Sequence, residues 1–257
     1  MEKKVVLILI DGLRPDAVQQ CSNPFLRDFM KKCTYTEEGK SVFPSVTLPC
    51  HMSLFHSVRP DRHGVLDNVY TRPVHPVEGL FEVLAKNDKS CYFFYTWEEL
   101  RDLGRPGSLV RQELSRYYTF GDRADCEMCD RTVKALQEEQ PDFIFYYTGN
   151  ADEVGHKYGW MSNEYLKAVD LAAENVEKIV SVLPEEYSLF ITADHGGHDR
   201  THGTNMPEDM KIPILCYGKE WKPGRKLEEA GLLDLAPTIA QTLGCALPRE
   251  WEGKVLS

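Results

Sequence analysis

The chain has 257 residues, of which 42% are hydrophobic and 27% charged, and its formal net charge is −10 at pH 7. This size and composition are typical of a globular protein with a substantial buried core. The acidic balance argues against a long nucleic acid as partner, because phosphate backbones are held by surplus lysine and arginine, and no stretch approaches the ~20 apolar residues that span a bilayer.

Continuous apolar runs and helical periodicity alternate along the chain. The apolar runs predict strands at 4–10, 89–95, 142–148, 187–193 and 211–217. The periodic segments predict helices at 16–32, 48–58, 77–87, 125–139, 163–183 and 231–243. This alternation predicts an α/β fold, a doubly wound and mostly parallel sheet with helices on both faces. We expect one domain over residues 1–257, with a small insertion near the site at 98–125.

The apolar run near the N-terminus and the cysteines together predict the cellular compartment of the protein. Val5 to Ile10 is shorter than the apolar region of a signal peptide and ends on Asp11 without a cleavage site, so we interpret it as a buried strand. The eight cysteines are scattered, and those of the CxxC at 126–129 are interpreted as incidental thiols. Reduced thiols predict a cytoplasmic protein.

Three aspartates follow predicted strands. Asp11 and Asp194 come directly after their strands, and Asp152 lies four residues beyond the strand at 142–148. Each alone would be interpreted as a turn residue. Because ligands of open parallel sheets bind outside the carboxyl ends of the strands, the three together indicate a metal site.

Histidines accompany two of these aspartates. His156 follows Asp152 at a spacing that lets both side chains face one point, and His195 is adjacent to Asp194. His202 lies in a glycine-punctuated loop that could fold back over the same face. Imidazole and carboxylate ligands favour Zn²⁺, with Mn²⁺ as the alternative. The ligands are too numerous for one tetrahedral ion, and two ions ~3.5–4 Å apart would form a clamp for a phosphoryl group.

Thr47 is the candidate nucleophile. It lies where an extended segment gives way to a helix around Pro49, so helix N–H groups and the helix dipole favour an anion beside it. A threonine at this position is more often only a helix cap. A metal site nearby would supply the activation that a hydroxyl needs.

Four segments resemble a known family. They read, in order, "VLILIDGLRPD", "FPSVTLPCHMSLFHSVRPDRHGVLDN", "DEVGHKYG" and "ADHGGHDRTHGT". Together they resemble the signature segments of the nucleotide pyrophosphatase/phosphodiesterase branch of the alkaline phosphatase superfamily. The resemblance implies an alkaline phosphatase-like fold and a small phosphate-ester or nucleotide-like substrate.

The resemblance also implies roles for individual residues. One zinc would be bound by Asp11, Thr47, Asp194 and His195. The second zinc would be bound by Asp152, His156 and His202. Thr47 would attack phosphorus and form a covalent intermediate, which water activated by the other zinc then hydrolyses, and Asn68 would donate to a phosphoryl oxygen. His198 and Asp199 are left for a supporting role or solvent, and His51, His56 and His63 for structural roles.

The sequence departs from the animal enzymes of this family. Six residues separate His195 from His202, where those enzymes carry a long insertion. Phe43 and Tyr158 could stack on a leaving group or pack in the core, and Arg14 or Arg59 could reach the phosphate or be structural.

The predicted function is that of a two-zinc phosphodiesterase or nucleotide pyrophosphatase with a threonine nucleophile. The alternatives are a phosphonate hydrolase or a phosphomonoesterase of the same superfamily, and a non-catalytic metal-binding protein. A sulfatase is disfavoured, because "TLPCH" lacks the C/S-x-P-x-R pattern that produces its nucleophile. Oligomeric state is not predicted.

Overall fold

The computed structural model describes residues 2–73 and 76–257. Its strands are β1 (Lys4–Ile10), β2 (Thr34–Lys40), β3 (Cys91–Tyr95), β4 (Arg111–Leu114), β5 (Phe143–Thr148), β6 (Tyr187–Thr192) and β7 (Lys211–Tyr217). The first helices are α1 (Pro15–Gln20), α2 (Phe25–Met30), α3 (Thr47–His56), α4 (Pro60–His63), α5 (Leu80–Lys86) and α6 (Tyr117–Phe120). They are followed by α7 (Asp122–Lys134), α8 (Asn150–Tyr158), α9 (Asn163–Ser181), α10 (Pro207–Met210) and α11 (Leu235–Thr242).

The described strands form one seven-stranded sheet in the order β2-β7-β6-β1-β5-β3-β4. Strand β1 pairs in parallel with β5 and β6, and β3 pairs in parallel with β5 and β4. Strand β7 is antiparallel to both of its neighbours. The carboxyl ends of β6, β1 and β5 are therefore adjacent at one edge of the sheet.

Helices cover both faces of this sheet in two packed groups. Helices α3, α5 and α11 contact one another, and α9 contacts α1, α2, α7 and α8. Strands β1, β5 and β6 are buried almost throughout, because each of them faces helices on both sides. The predicted fold class, a doubly wound and mostly parallel α/β sheet, is confirmed. None of the described helices combines the length and the apolar character needed to cross a bilayer.

Several element boundaries differ from the prediction. The single helix predicted over 16–32 is two helices, α1 and α2, separated by a break that contains Pro24. Strands β2 and β4 were not predicted. The segment 98–125 supplies β4, which extends the main sheet beside β3, and also α6 and the start of α7.

Candidate active site

The three predicted aspartates meet at the carboxyl edge of the sheet. Asp11 directly follows β1, and its N–H donates to the carbonyl of Thr148 at the end of β5. Asp194 lies two residues after β6, and Asp152 is in the first turn of α8, which follows β5. Because β6, β1 and β5 are neighbours in the sheet, the carboxylates of the three aspartates converge.

The first cluster consists of Asp11, Asp194 and His195, all buried. The Nε2 atom of His195 lies 3.4 Å from Oδ1 of Asp11 and 3.3 Å from Oδ2 of Asp194. The hydroxyl of Thr47 lies 3.1 Å from the same nitrogen. The four residues that the family resemblance assigned to one metal ion are thus together in space.

The second cluster consists of Asp152, His156 and His202. Asp152 and His156 are four residues apart on α8, so both side chains project from one face of the helix. The Nε2 atom of His156 lies 3.4 Å from Oδ2 of Asp152 and 3.1 Å from Nε2 of His202. The three residues assigned to the other ion are likewise together.

The three clustered histidines share one ring orientation. The Nδ1 atoms of His156, His195 and His202 contact the backbone carbonyls of Arg200, Gly196 and Ser45, at 3.0, 2.8 and 2.7 Å. Since a carbonyl only accepts, Nδ1 carries the proton and Nε2 presents a lone pair. This is the arrangement by which proteins prepare imidazole to bind a metal.

Unpartnered buried oxygens also point into the clusters. Among the described residues, Oδ1 of Asp11, Oδ1 of Asp152 and Oδ2 of Asp194 are buried without a hydrogen-bond partner. Buried carboxylate oxygens are costly unless they are paired or bind a cation. Ligand atoms around a tetrahedral zinc with ordinary bond lengths lie roughly 3.3 Å from one another, close to the separations in both clusters. The residues present therefore fit divalent metal ions.

The electrostatics of the site agree with this fit. Burial, followed by repulsion from Asp194, raises the pKa of Asp11 and of Asp152 well above the usual value. Burial lowers the pKa of His195 to about 4 and that of His202 to about 3, so both rings are neutral near pH 7 and able to bind a cation. Divalent cations would offset the carboxylate repulsion.

Asn68 is held beside Thr47 at the start of α3. The backbone N–H of Leu48 donates to Oδ1 of Asn68 at 3.0 Å. This bond uses the amide oxygen as acceptor, so the Nδ2 group remains a donor. Thr47 is the first residue of α3, and both it and Asn68 line one cavity of about 210 Å³ that also contains Asp11, Asp152, His156 and His202.

Gly12 permits the close approach of the two clusters. Its backbone has φ +66°, and a Cβ there would lie 3.0 Å from Oδ1 of Asp152. Its N–H donates to Asp194 at 3.2 Å, and its carbonyl accepts from Trp160 at 2.9 Å and from Tyr165 at 2.8 Å. A side chain at this position would push the carboxylates apart.

Two aromatic residues that the sequence did not indicate contact the clusters. The hydroxyl of Tyr147 donates to Oδ2 of Asp11. The ring of Trp160 lies edge-on to His156 and His202, with centroids 5.1 and 5.9 Å apart. Tyr147 belongs to a strand buried on both faces, so no alternation in its sequence marks the face toward the site.

His198 lies outside both clusters. Its Nδ1 atom is 2.7 Å from Oδ1 of Asp209, whose other oxygen accepts from the N–H and the hydroxyl of Thr204 at 2.9 and 2.7 Å. Burial opposes ionisation of Asp209, but the hydrogen bonds from His198 and Thr204 hold its pKa below the usual value. Asp209 thus braces the loop that carries His202, whereas Asp199 is exposed.

The four residues whose sequence interpretation was left open are absent from this cavity. Phe43 and Tyr158 are 61% and 44% exposed, so neither packs in the core. Arg14 pairs with Asp16 at 2.7 Å, and Arg59 is an exposed residue. Trp97, Tyr117 and Tyr118, which the sequence did not single out, line the cavity instead.

A family model described as type I phosphodiesterase / nucleotide pyrophosphatase matches residues 5–210. The chain belongs to this family. This family of phosphodiesterases and nucleotide pyrophosphatases is the one that the sequence motifs resemble, so the predicted family is confirmed.

Curated relatives of this phosphodiesterase-family chain include larger enzymes. A 2,3-bisphosphoglycerate-independent phosphoglycerate mutase from Clostridium acetobutylicum is 35% identical over 136 residues, which cover 51% of this chain and 26% of the relative. The mutase from Francisella tularensis is 28% identical over 214 residues, which cover 72% of this chain and 40% of the relative. The chain thus spans well under half the length of these relatives.

Solved structures share the fold. A murine ectonucleotide pyrophosphatase / phosphodiesterase 5, an inactive threonine-to-alanine variant in complex with AMP, has a TM-score of 0.82 at 13% identity, with 98% of each chain covered. A 2-O GAG sulfatase has a TM-score of 0.82 at 15% identity, covering 100% of this chain and 73% of the sulfatase. The phosphonate monoester hydrolase from Silicibacter pomeroyi has a TM-score of 0.74 at 14% identity, covering 99% and 76%. At these identities the similarity shows the fold alone.

Proposed function

We propose that the protein is a two-zinc phosphodiesterase for small phosphate diesters or nucleotide-like pyrophosphates, with Thr47 as its nucleophile. The observation that carries this proposal is the contact of 3.1 Å between the Thr47 hydroxyl and Nε2 of His195, in a cavity that also contains the second cluster. The Thr47 hydroxyl is directed at a proposed metal ligand, which is the position that an activated nucleophile needs, and α3 has no side-chain capping bond at its start.

Two sets of residues would hold the metal ions. Asp11, Thr47, Asp194 and His195 would hold one zinc, and Asp152, His156 and His202 the other. Bound there, zinc would supply positive charge for the transition state and lower the pKa of the attacking hydroxyl or water. Mn²⁺ is the alternative, since the same ligand types accept it.

The chain's own groups account for the two displacements. Oγ1 of Thr47 forms a bond to phosphorus while the bond to the departing alkoxide breaks, and the threonine proton leaves with the alcohol. Nδ2 of Asn68 donates to a non-bridging oxygen, where negative charge builds up. Water then cleaves the bond between Oγ1 and phosphorus, restores the hydroxyl and releases the monoester.

The charge of the cavity favours a diester. Among the described residues that line it, none is lysine or arginine. A monoester carries a second negative charge near neutral pH, and phosphoglycerate adds a carboxylate, so both would need cationic side chains beyond the metal ions. The cavity thus disfavours the phosphomonoesterase and mutase alternatives, whereas a phosphonate monoester has the same charge as a diester.

The proposal is tested by comparing simple substrates. The purified protein loaded with zinc should hydrolyse bis-(p-nitrophenyl) phosphate with a higher kcat/KM than p-nitrophenyl phosphate. A preference for p-nitrophenyl phosphate would assign the protein to the phosphatases instead. Faster hydrolysis of p-nitrophenyl phenylphosphonate than of the diester would favour the phosphonate hydrolase.

A further inference from the structure

Helix α8 carries two of the three residues of the second cluster, Asp152 and His156. It begins two residues after the end of β5, and its N-cap residue, Gly149, has no side chain that could bind the first N–H groups of the helix. These N–H groups need acceptors from elsewhere, because a helix leaves the donors of its first turn unbonded. The position of α8 therefore depends on a neighbouring element.

Asp125, on α7, supplies these acceptors. Its Oδ1 atom accepts from the N–H of Gly149 and its Oδ2 atom from the N–H of Asn150, both at 3.1 Å. The hydroxyl of Thr96 donates to Oδ1 at 3.1 Å, and that of Thr148 donates to Oδ2. Each carboxylate oxygen thus has one backbone donor and one hydroxyl donor, and the residue is 2% exposed. The start of α8 is fixed by a buried carboxylate from another helix.

Asp125 has little freedom to move. The hydroxyl of Tyr146, in β5, donates to its carbonyl oxygen at 2.9 Å. Helix α7, which carries it, packs against α9, β3 and β5. Thr96 follows β3 directly and Thr148 ends β5, so the carboxylate is bonded to two neighbouring strands as well as to α8. Because hydrogen bonds to a charged group are roughly twice as strong as neutral ones, Asp125 ties α8 firmly to the sheet.

The two clusters depend on this contact to different extents. Asp152 comes two residues after Asn150, so a shift at the start of α8 moves Asp152 and His156 together. Metal sites tolerate ligand displacements of only about 0.2 Å. The first cluster is carried by α3 and by the segments after β1 and β6, and within the described ranges none of these is hydrogen-bonded to the Asp125 side chain. Loss of the contact should therefore disturb the second cluster alone.

We propose that Asp125 is a positioning residue for the second metal cluster, and that it holds Asp152 and His156 on α8 at binding distance from His202. The inference rests on the metal-binding part of the proposed function, because it requires a divalent ion at this cluster. A cap that merely stabilises the fold would affect the two clusters equally or not at all. The consequence that distinguishes a positioning residue is a selective loss of metal affinity.

Zinc affinity is measured in two backgrounds that each retain one intact cluster. His195→Ala retains the second cluster, and His156→Ala retains the first. Asp125→Asn is then added to each, because asparagine in either orientation places an N–H group against a backbone N–H of α8. Competition with a zinc indicator should show an affinity lower by about 10–100-fold in the His195→Ala background, and one changed by less than about twofold in the His156→Ala background.

Two further variants control this comparison. Asp130→Asn, the same change at an exposed position of α7, should alter neither affinity. Thr96→Val removes one hydroxyl donor and leaves the carboxylate, so it should lower the affinity of the second cluster alone by roughly threefold. It takes the place of Asp125→Asn if that variant does not fold. Equal losses in the two backgrounds, or no loss in either, would overturn the inference.

Turnover separates this inference from the proposed function. With both clusters otherwise intact, Asp125→Asn should hydrolyse bis-(p-nitrophenyl) phosphate more slowly than the wild type at low zinc, and excess zinc should restore the rate. If the affinities change as expected but the wild type with both ions consumes no diester, the proposed function has failed and the positioning role is supported. If diester is consumed but Asp125→Asn retains full zinc affinity at the second cluster, the positioning role is wrong.

Discussion

The Nε2 atoms of His156 and His202 lie 3.1 Å apart, and each ring binds a backbone carbonyl through Nδ1. Both Nε2 atoms therefore present lone pairs to each other, an arrangement that is unfavourable without a shared electrophile. Burial and repulsion impose a similar cost on the carboxylates of Asp11 and Asp152. These lone pairs and carboxylates would all be stabilised by cations bound between them.

Removal of metal should destabilise the protein. Zinc at a thousand times its dissociation constant stabilises a one-site protein by about 4 kcal/mol, so we expect chelation to lower Tm by roughly 10 °C. Differential scanning calorimetry with chelator and after zinc is restored measures the change. A Tm that does not respond would show that the two clusters bind no ion.

Thr47→Ala should reduce kcat for bis-(p-nitrophenyl) phosphate by at least about 10³-fold, because no other hydroxyl takes the place of the nucleophile. Thr47→Ser keeps the hydroxyl and is the matched variant, for which we expect substantial remaining activity. Zinc content, measured by emission spectroscopy, should stay close to that of the wild type, since six other proposed ligands remain. Full activity in the alanine variant would refute the covalent mechanism.

Asp209→Asn should weaken zinc binding without removing a ligand. Asp209 braces the loop that carries His202 through His198 and Thr204. Loss of such a supporting contact costs roughly 10–100-fold in metal affinity, which competition with a zinc indicator measures. Asp199→Asn is the control, because Asp199 is exposed in the same loop at φ +46°, a conformation that asparagine accepts. Equal affinities in the two variants would assign Asp209 no role in the site.

Asp125 should impose a pH dependence on stability. It accepts hydrogen bonds from Thr96, Thr148, Gly149 and Asn150, the last two at the start of α8. Burial nevertheless raises its pKa to about 6. The native state then binds the proton more tightly than the unfolded chain does, so stability falls as pH rises from about 4 to about 6.

The contribution of Asp125 to stability is measured as the difference in unfolding free energy between the wild type and Asp125→Asn. Between pH 4 and 6, wild-type protein should lose about 2 kcal/mol of unfolding free energy relative to Asp125→Asn. Denaturant unfolding at each pH gives the two curves. Asp130→Asn, an exposed change on the same helix α7, should parallel the wild type. Parallel curves for Asp125→Asn as well would mean that folding does not raise the pKa of Asp125.

The sequence predicted the central strands but not those at the edges. Strands β1, β5 and β6 are continuous apolar runs because helices cover both of their faces. Strand β2 buries mainly threonines and glycine, and β4 consists of three polar residues and one leucine, none of them fully buried. Neither strand therefore has an apolar signal. Their pairing with β7 and β3 exists only in the folded sheet.

The residues brought together at the site were predicted because they stand at strand ends or in the family's motifs. Asp11 and Asp194 follow buried strands, Thr47 stands at the start of a predicted helix, and the resemblance supplied Asn68. The supporting residues had no such signal. Asp209 lies on a short separate helix and Trp160 in a loop, and only the tertiary fold brings them to the ligands.

The most direct test of the central claim is the stereochemistry at phosphorus. One diastereomer of thymidine 5′-(p-nitrophenyl phosphorothioate) is hydrolysed by the zinc-loaded enzyme in ¹⁸O-labelled water, and the configuration of the product is determined. Attack by Thr47 followed by attack of water gives two inversions, so we expect net retention. Net inversion would show that water attacks the diester directly and would contradict the account.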